Sequence, residues 1–213
     1  MNIKDYQTLV FDCDGVILNS NKVKTEAFYK AALPYGEKNA QKLVKYHVDR
    51  GGISRYKKFE WFMQEIKGQI GPDLNQLLDT YAEEVRKGLL TCEVAEGIQE
   101  LRSRYSNMNW LIVSGGDQDE LRYIFKERGL AELFNGGIFG SPDSKDIILA
   151  REIMNGNIKR PSLFLGDSQY DILAAKKADI DILFLNKWSE FSEHQEYCRQ
   201  HTVSVLSSIN SLL

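Results

Sequence analysis

Residues 11–20 read FDCDGVILNS, and this stretch places two acids, Asp12 and Asp14, directly after an apolar run. Two carboxylates this close together repel each other when both are ionised and drawn out of water. A positive partner between them, such as a metal ion, would offset that repulsion. The stretch therefore predicts a buried strand that ends in a charged site.

Further short apolar runs predict the rest of a sheet. Their hydrophobicity is continuous rather than alternating, which indicates strands that are covered on both faces, as in a parallel sheet. Helix-like segments at 117–129 and 169–179 separate the later runs, and this alternation is typical of a doubly wound α/β sheet. The five predicted strands are TLVFD (8–12), WLIVS (110–114), GGIFG (136–140), SLFLG (162–166) and DILFL (181–185).

One long interval, 17–89, contains no convincing strand and carries helical patterning instead. It is too long for a crossover connection and too rich in apolar positions for a disordered loop. We expect an inserted, all-helical cap domain at 17–89, within an α/β core formed by 1–16 and 90–213. Helices are predicted at 20–33, 38–49, 53–67 and 73–88, with breaks at LPYG, RGG and GQIGPD, where Gly and Pro end helices.

The composition narrows the class of protein and its partners. Of the 213 residues, 43% are hydrophobic and 27% are charged, with a net charge of −3, which is ordinary for a globular protein. This charge argues against nucleic acid as the main partner. No stretch resembles a signal peptide or a membrane span, and the three cysteines form no zinc or disulfide pattern. We therefore expect a cytoplasmic monomer or dimer without membrane partners.

Polar residues follow several of the predicted strands at the point where each strand ends. Ligands of open α/β sheets bind beyond the carboxyl ends of the strands, so we expect these side chains to converge. Clustered carboxylates suit Mg²⁺, while a lysine, a hydroxyl and glycine N–H groups suit a phosphoryl group. The candidate residues are Asp12, Asp14, Ser114, Gly115, Lys145, Asp167, Ser168 and Asp171.

These segments resemble a known family in their order as well as in their residues. DCDGVILNS, LIVSGG, the lysine of SPDSK and LFLGDSQYD look like the four motifs of the haloacid dehalogenase-like (HAD) hydrolases. Within that superfamily, the chain is most similar to the phosphoglycolate phosphatase and β-phosphoglucomutase branch. The resemblance covers essentially the whole chain and implies a Rossmann-like core with a helical cap.

The resemblance also implies catalytic and metal-binding roles. Asp12 would be the nucleophile that forms an aspartyl-phosphate, and Asp14 would be the general acid and base. The Mg²⁺ ligands would be Asp12, Asp167 and the backbone carbonyl of Asp14. Asp171 and Ser168 would support the metal site from outside its coordination sphere. A dehalogenase needs no acid at the position of Asp14, so dehalogenation is not expected.

Phosphate binding is implied for Ser114, Gly115 and Lys145. Two features depart from many relatives, namely Gly115 in place of Asn or Ala, and the stretch VILNS at 16–20. We expect neither departure to touch an essential group.

The predicted cap supplies candidates for substrate recognition. The stretch HVDRGGISRYKKF (47–59) contains a glycine pair flanked by basic residues, and relatives contact substrate from the equivalent turn. Two arginines there suit a sugar phosphate or sugar-acid phosphate, although a solvated surface is an equal alternative for both. The candidate residues are His47, Arg50, Gly51, Gly52 and Arg55.

The motifs therefore favour a Mg²⁺-dependent phosphatase that acts on a small phosphorylated metabolite. A β-phosphoglucomutase-like phosphomutase, or a phosphonate hydrolase that uses a cap lysine, is an alternative within the same superfamily. A non-catalytic binding relative is disfavoured because all the catalytic residues are present. A receiver-type signalling domain fails on motif order and on the helical insertion.

Overall fold

A six-stranded parallel sheet lies at the centre of the computed structural model, which describes residues 2–213. Its strand order is β3-β2-β1-β4-β5-β6, so β2 and β3 lie on one side of β1, and β4, β5 and β6 lie on the other side. The five predicted strands are confirmed, while the sixth was missed. The strands are β1 (Thr8–Phe11), β2 (Asn109–Asp117), β3 (Gly137–Ser141), β4 (Ser162–Gly166), β5 (Asp181–Leu185) and β6 (Ser204–Leu206).

Helices connect these strands, and five of them occur between β1 and β2. The first four were predicted, with end points that differ by at most three residues, whereas the fifth was not. The helix α4 begins at a capping box. The side chains of Asp73 and Gln76 each accept a hydrogen bond of 2.9 Å from the backbone N–H of the other residue. The helices are α1 (Asn21–Ala32), α2 (Glu37–Asp49), α3 (Arg55–Glu65), α4 (Leu74–Thr91), α5 (Ile98–Arg104), α6 (Gln118–Glu127), α7 (Lys145–Met154), α8 (Gln169–Lys177) and α9 (His194–Gln200).

Both faces of the sheet are buried, as the continuous apolar runs predict. Successive residues of β1 point to opposite faces, so Leu9 and Phe11 enter one apolar cluster and Val10 enters the other. In register, Phe11 lies opposite Ile112 on one side and Leu165 on the other. This pairing brings the carboxyl ends of β1, β2 and β4 side by side.

The helices α1 to α4 pack against one another. The helix α1 contacts α2 and α4, and α3 contacts α4. Phe28, Phe59 and Tyr81 form an aromatic cluster among them, with ring centroids 4.3 to 5.7 Å apart. The assignment of 17–89 as a separate cap domain stays a prediction. Within residues 2–213, no helix combines the length and the apolar character that crossing a bilayer requires.

Candidate active site

The predicted polar cluster lies at the carboxyl ends of β1 and β4. Asp12 follows β1 directly, and Asp167 follows β4. One carboxylate oxygen from each of Asp12, Asp167 and Asp171 lies within 4.8 Å of the other two. Lys145, the first residue of α7, places its Nζ 2.9 Å from Asp12 Oδ2 and 2.5 Å from Asp171 Oδ1. The structure therefore joins three acids and one lysine that are far apart in the sequence.

The start of α8 holds Asp171 in place. Ser168 caps this helix, and the Asp171 carboxylate accepts a hydrogen bond from the Ser168 backbone N–H, which completes a capping box. Asp171 Oδ2 accepts hydrogen bonds from the Ser168 hydroxyl at 2.7 Å and from the Asp167 N–H at 3.2 Å. With Lys145 on its Oδ1, both oxygens of Asp171 have protein partners.

Asp12 and Asp167 keep more of their bonding capacity open. Asp12 Oδ1 accepts the N–H of Cys13 at 2.7 Å, and Asp167 Oδ2 accepts a hydrogen bond from Asn21 at 2.7 Å. A Cβ at Gly15 would overlap the Asp167 carboxylate, so only glycine leaves room for it there. The possible metal ligands of Asp12 and Asp167 are carboxylate oxygens, and such oxygens suit a hard cation such as Mg²⁺.

The electrostatics of the acids point in the same direction. Burial, opposed by Lys145 and aided by the charges of Asp171 and Asp14, raises the pKa of Asp12 to about 7. Burial also raises the pKa of Asp167 well above its usual range, and the charges of Asp12 and Asp171 add to this. A single lysine therefore does not fully neutralise the cluster, and a cation would favour the ionised forms.

Asp14 lies in a different environment from the other acids. Its carboxylate forms an ion pair with Lys24 and accepts a hydrogen bond of 2.6 Å from the Ser20 hydroxyl. Burial alone would raise the pKa of Asp14, but Lys24 and Ser20 outweigh burial and lower it. The VILNS stretch was expected to touch no essential group, but its Ser20 contacts the candidate acid Asp14, because the chain after β1 folds back onto that residue.

A cavity of about 350 Å³ lies beside these acids. Gly115 and Gly116, near the carboxyl end of β2, help to line this cavity, whereas Ser114 does not. Ser114 is fully buried, and its Oγ accepts the N–H of Gly116 at 3.1 Å. The sheet end of the cavity is formed by Asp12, Asp14, Gly115, Gly116, Asp167 and Ser168.

The opposite end of the cavity comes from the helices between β1 and β2. Lys58 Nζ lies 2.7 Å from His47 Nδ1, and both side chains are buried. Burial, together with the positive charge of Lys24, lowers the pKa of Lys58 to about 7. This helical end is formed by Lys24, Phe28, His47, Arg55, Lys58 and Tyr81.

The predicted glycine turn approaches the sheet end of the cavity. Gly51 and Gly52 both line the cavity beside Ser168. A Cβ at Gly115 would overlap the carbonyl oxygen of Gly52, so the turn packs directly against the end of β2. Glycine at position 115, noted as a departure from many relatives, makes this close approach sterically feasible.

The two candidate arginines have different surroundings. Arg50 is exposed, and its guanidinium lies 5.9 Å from the ring centroid of Tyr46. It does not belong to the residues that line the cavity. Arg55 lines the cavity but is buried in a two-bond ion pair with Glu120 of α6. Arg55 thus links α3 to the sheet-covering helix α6.

Several residues of the site were missed from the sequence. Ser20, Asn21 and Lys24, which surround the acids, were not predicted. The signal for Lys24 was its spacing four residues before Phe28, which puts both on one face of α1. Lys58 was predicted to lie near the glycine turn, but nothing in the sequence distinguished it from the exposed neighbour Lys57.

A family model describes this arrangement. The model of the haloacid dehalogenase-like hydrolases matches residues 6–179, which is most of the chain. The chain therefore belongs to the haloacid dehalogenase-like hydrolases. A comparison with curated proteins finds no significant match.

Solved structures share the whole fold at low sequence identity. A putative phosphoglycolate phosphatase from Lactobacillus plantarum is 21% identical, with 100% of both chains covered and a TM-score of 0.71. A putative β-phosphoglucomutase from Thermotoga maritima is 17% identical, with 97% of this chain and 96% of that chain covered and a TM-score of 0.67. A mutant of CbbY from Rhodobacter sphaeroides, in complex with xylulose-(1,5)bisphosphate, is 15% identical, with 95% and 94% covered and a TM-score of 0.71. The chain thus has the fold of HAD-family phosphatases and phosphomutases.

Proposed function

We propose that this protein is a Mg²⁺-dependent phosphatase that hydrolyses a small phosphorylated metabolite through an aspartyl-phosphate on Asp12. The observation that carries the proposal is the cluster of Asp12, Asp167 and Asp171 around Lys145, at the edge of the sheet and beside a cavity. A cavity of about 350 Å³ suits a compact sugar phosphate or sugar-acid phosphate.

The metal would be held by Asp12, Asp167 and the backbone carbonyl of Asp14. Mg²⁺ would polarise the phosphoryl group and neutralise charge that develops during transfer. Asp171 supports this site indirectly, because its oxygens are bonded to Lys145 and to the backbone at the start of α8.

The reaction uses the two acids of the opening stretch in sequence. An oxygen of ionised Asp12 attacks phosphorus, the bond from phosphorus to the leaving oxygen breaks, and protonated Asp14 gives its proton to that oxygen. Ionised Asp14 then takes a proton from water as the water oxygen attacks the aspartyl-phosphate, which releases phosphate and restores Asp12. The ion pair with Lys24 corresponds to the ionised form of Asp14.

Lys145 and Gly115 would bind the phosphoryl oxygens, and Ser114 would have to turn its hydroxyl from the Gly116 N–H into the cavity to join them. Lys145 is held in its charged form, because the negative charges of Asp12 and Asp171 outweigh burial and raise its pKa. Its ammonium lies 2.9 Å from Asp12, so it is placed to stabilise negative charge that is transferred to that residue.

Phosphate release from acetyl phosphate and a panel of phosphorylated sugars and sugar acids tests this proposal. We expect release that requires both Mg²⁺ and Asp12, with a loss of about 1,000-fold or more in Asp12→Asn. Unchanged circular dichroism would show that the variant is folded. Phosphate release that persists in folded Asp12→Asn would contradict the nucleophilic role.

The same panel distinguishes a phosphomutase, which the fold shared with the putative β-phosphoglucomutase keeps as a second candidate. A mutase would convert a sugar phosphate into its isomer without net release of phosphate. Detection of that isomer, with Asp12 required, would replace the hydrolase by a mutase.

A further inference from the structure

The helical end of the cavity contains a buried lysine without an acidic partner. Lys58 is 2% exposed, and among residues 2–213 no carboxylate oxygen lies within 4 Å of its Nζ. The other two cations at this end are paired, Arg55 with Glu120 and Lys24 with Asp14. Among the described cations of this end, Lys58 is therefore the one without an ion-pair partner, and the more distant charges of Asp14 and Glu190 offset its burial only in part.

His47 adds a second incompletely bonded group at the same place. Its Nδ1 faces the Lys58 ammonium at 2.7 Å, so this nitrogen is assigned as the acceptor and the proton of the ring is placed on Nε2. Nε2 is buried and has no hydrogen-bond partner in the described structure. The His47 ring also stacks on Phe28 at 4.5 Å, which fixes its orientation.

Both groups carry a cost that a ligand would relieve. A buried ammonium without a counter-charge is unfavourable, and so is a buried N–H without an acceptor. Burial and the nearby charge of Lys58 lower the pKa of His47 well below its usual range, so the ring stays neutral. The missing partner must therefore bring negative charge and acceptor oxygens to Lys58.

We propose that Lys58, oriented by His47, binds a carboxylate on the part of the substrate that is remote from the phosphoryl group. A carboxylate carries one charge and matches one unpaired lysine, whereas a second phosphate carries more charge than this end can balance. The substrate class is then a small phosphorylated hydroxy acid or sugar acid. This inference rests on the proposed phosphatase function.

Two substrates that differ at one group test the inference. Glycerol 3-phosphate and 3-phosphoglycerate have the same chain length, but only 3-phosphoglycerate carries a carboxylate. Each compound is measured as a substrate and as a competitor of acetyl phosphate, so that binding is scored even without turnover. The variant is Lys58→Met, which keeps the length of the stem, and Lys57→Met removes the exposed neighbouring lysine as a matched control.

We expect the wild type to bind 3-phosphoglycerate about 10-fold or more tightly than glycerol 3-phosphate, since a charged hydrogen bond has that value. Lys58→Met should abolish this preference through KM or the inhibition constant. Lys57→Met should keep the preference, and Lys58→Arg should restore part of it.

Other results overturn the inference. Equal binding of the two compounds by the wild type would do so, as would a preference that survives in Lys58→Met. Trapping of Lys58 by borohydride with an aldehyde-bearing phosphonate would make the lysine a nucleophile rather than a carboxylate-binding residue. Absence of Mg²⁺- and Asp12-dependent turnover of acetyl phosphate would instead refute the proposed phosphatase, so the two failures are distinguishable.

Discussion

The two ends of the cavity treat a buried lysine in opposite ways. At the sheet end, Lys145 lies between Asp12 and Asp171, and its side chain is completely buried. At the helical end, Lys58 is almost as buried, but its ammonium faces a neutral imidazole, a backbone carbonyl and the ring of Phe28, with no carboxylate in contact among the described residues. Lys145 is thereby held charged, whereas the pKa of Lys58 falls to about 7.

The difference between the two lysines is whether the protein itself supplies the opposite charge. The positive charge of Lys145 is part of a cluster that the protein itself assembles around its strand ends. The charge of Lys58 is favourable only when something negative enters the cavity. Replacing each lysine by methionine should therefore change stability in opposite directions.

Lys145→Met should have the largest effect, because it leaves Asp12 and Asp171 buried without their cation. We expect the free energy of unfolding to fall by about 3–5 kcal/mol, since removing the lysine leaves the buried carboxylates of Asp12 and Asp171 without their ion-pair partner. Phosphatase activity should fall about 100-fold or more. Urea unfolding and phosphate release measure these changes.

The double variant Lys145→Met with Asp171→Asn is the control for charge. It removes one stranded acid, so it should recover part of the lost stability while activity stays low. If Lys145→Met alone is as stable as the wild type, the cluster does not depend on this lysine.

Lys58→Met should stabilise the protein at neutral pH. The pKa of Lys58 falls from 10.5 to about 7 on folding, so between these values the unfolded chain holds a proton that the folded chain lacks. Wild-type stability therefore rises with pH across this window, while methionine has no such dependence. We expect the stabilisation by Lys58→Met to be about 3–4 kcal/mol larger at pH 7 than at pH 10.

Urea unfolding of both proteins at pH 7, 8.5 and 10 measures this difference, in which contributions of the other lysines cancel. Lys57→Met is the matched control and should show no comparable gain, because an exposed ammonium stays hydrated. A Lys58→Met gain that is constant from pH 7 to pH 10 would refute the unbalanced charge.

Gly115→Ala should have a smaller effect that is confined to activity. The added Cβ would overlap the carbonyl oxygen of Gly52, so the glycine turn would have to move away from the end of β2. We expect kcat/KM to fall about 10-fold, which is about 1.4 kcal/mol, with little change in melting temperature. Steady-state kinetics and circular dichroism measure the two quantities.

Gly116→Ala provides the comparison for that change. Its Cβ would lie 3.3 Å from the side chains of Leu121 and Lys24, which can adjust more readily than a backbone carbonyl. Equal losses in the two variants would show that the contact with Gly52 is not the cause.

The sequence predicted the sheet well because burial on both faces leaves a continuous apolar run. The missed strand β6 illustrates the limit of this signal. It spans three residues, and two of them, Ser204 and Val205, are exposed. A short edge strand makes few contacts, so its sequence needs no strong pattern.

The sequence by itself determined the acidic and basic residues at the strand ends, because parallel strands deliver their carboxyl ends to one edge. Asp12, Asp167 and Lys145 were identified in this way. Only the tertiary structure decided which charges are paired. Asp14 meets Lys24, and Lys58 meets no acid, because these outcomes depend on how the four helices pack over the sheet. The sequence does not show whether a lysine is paired, buried or solvated, and these surroundings determine whether its side chain is charged.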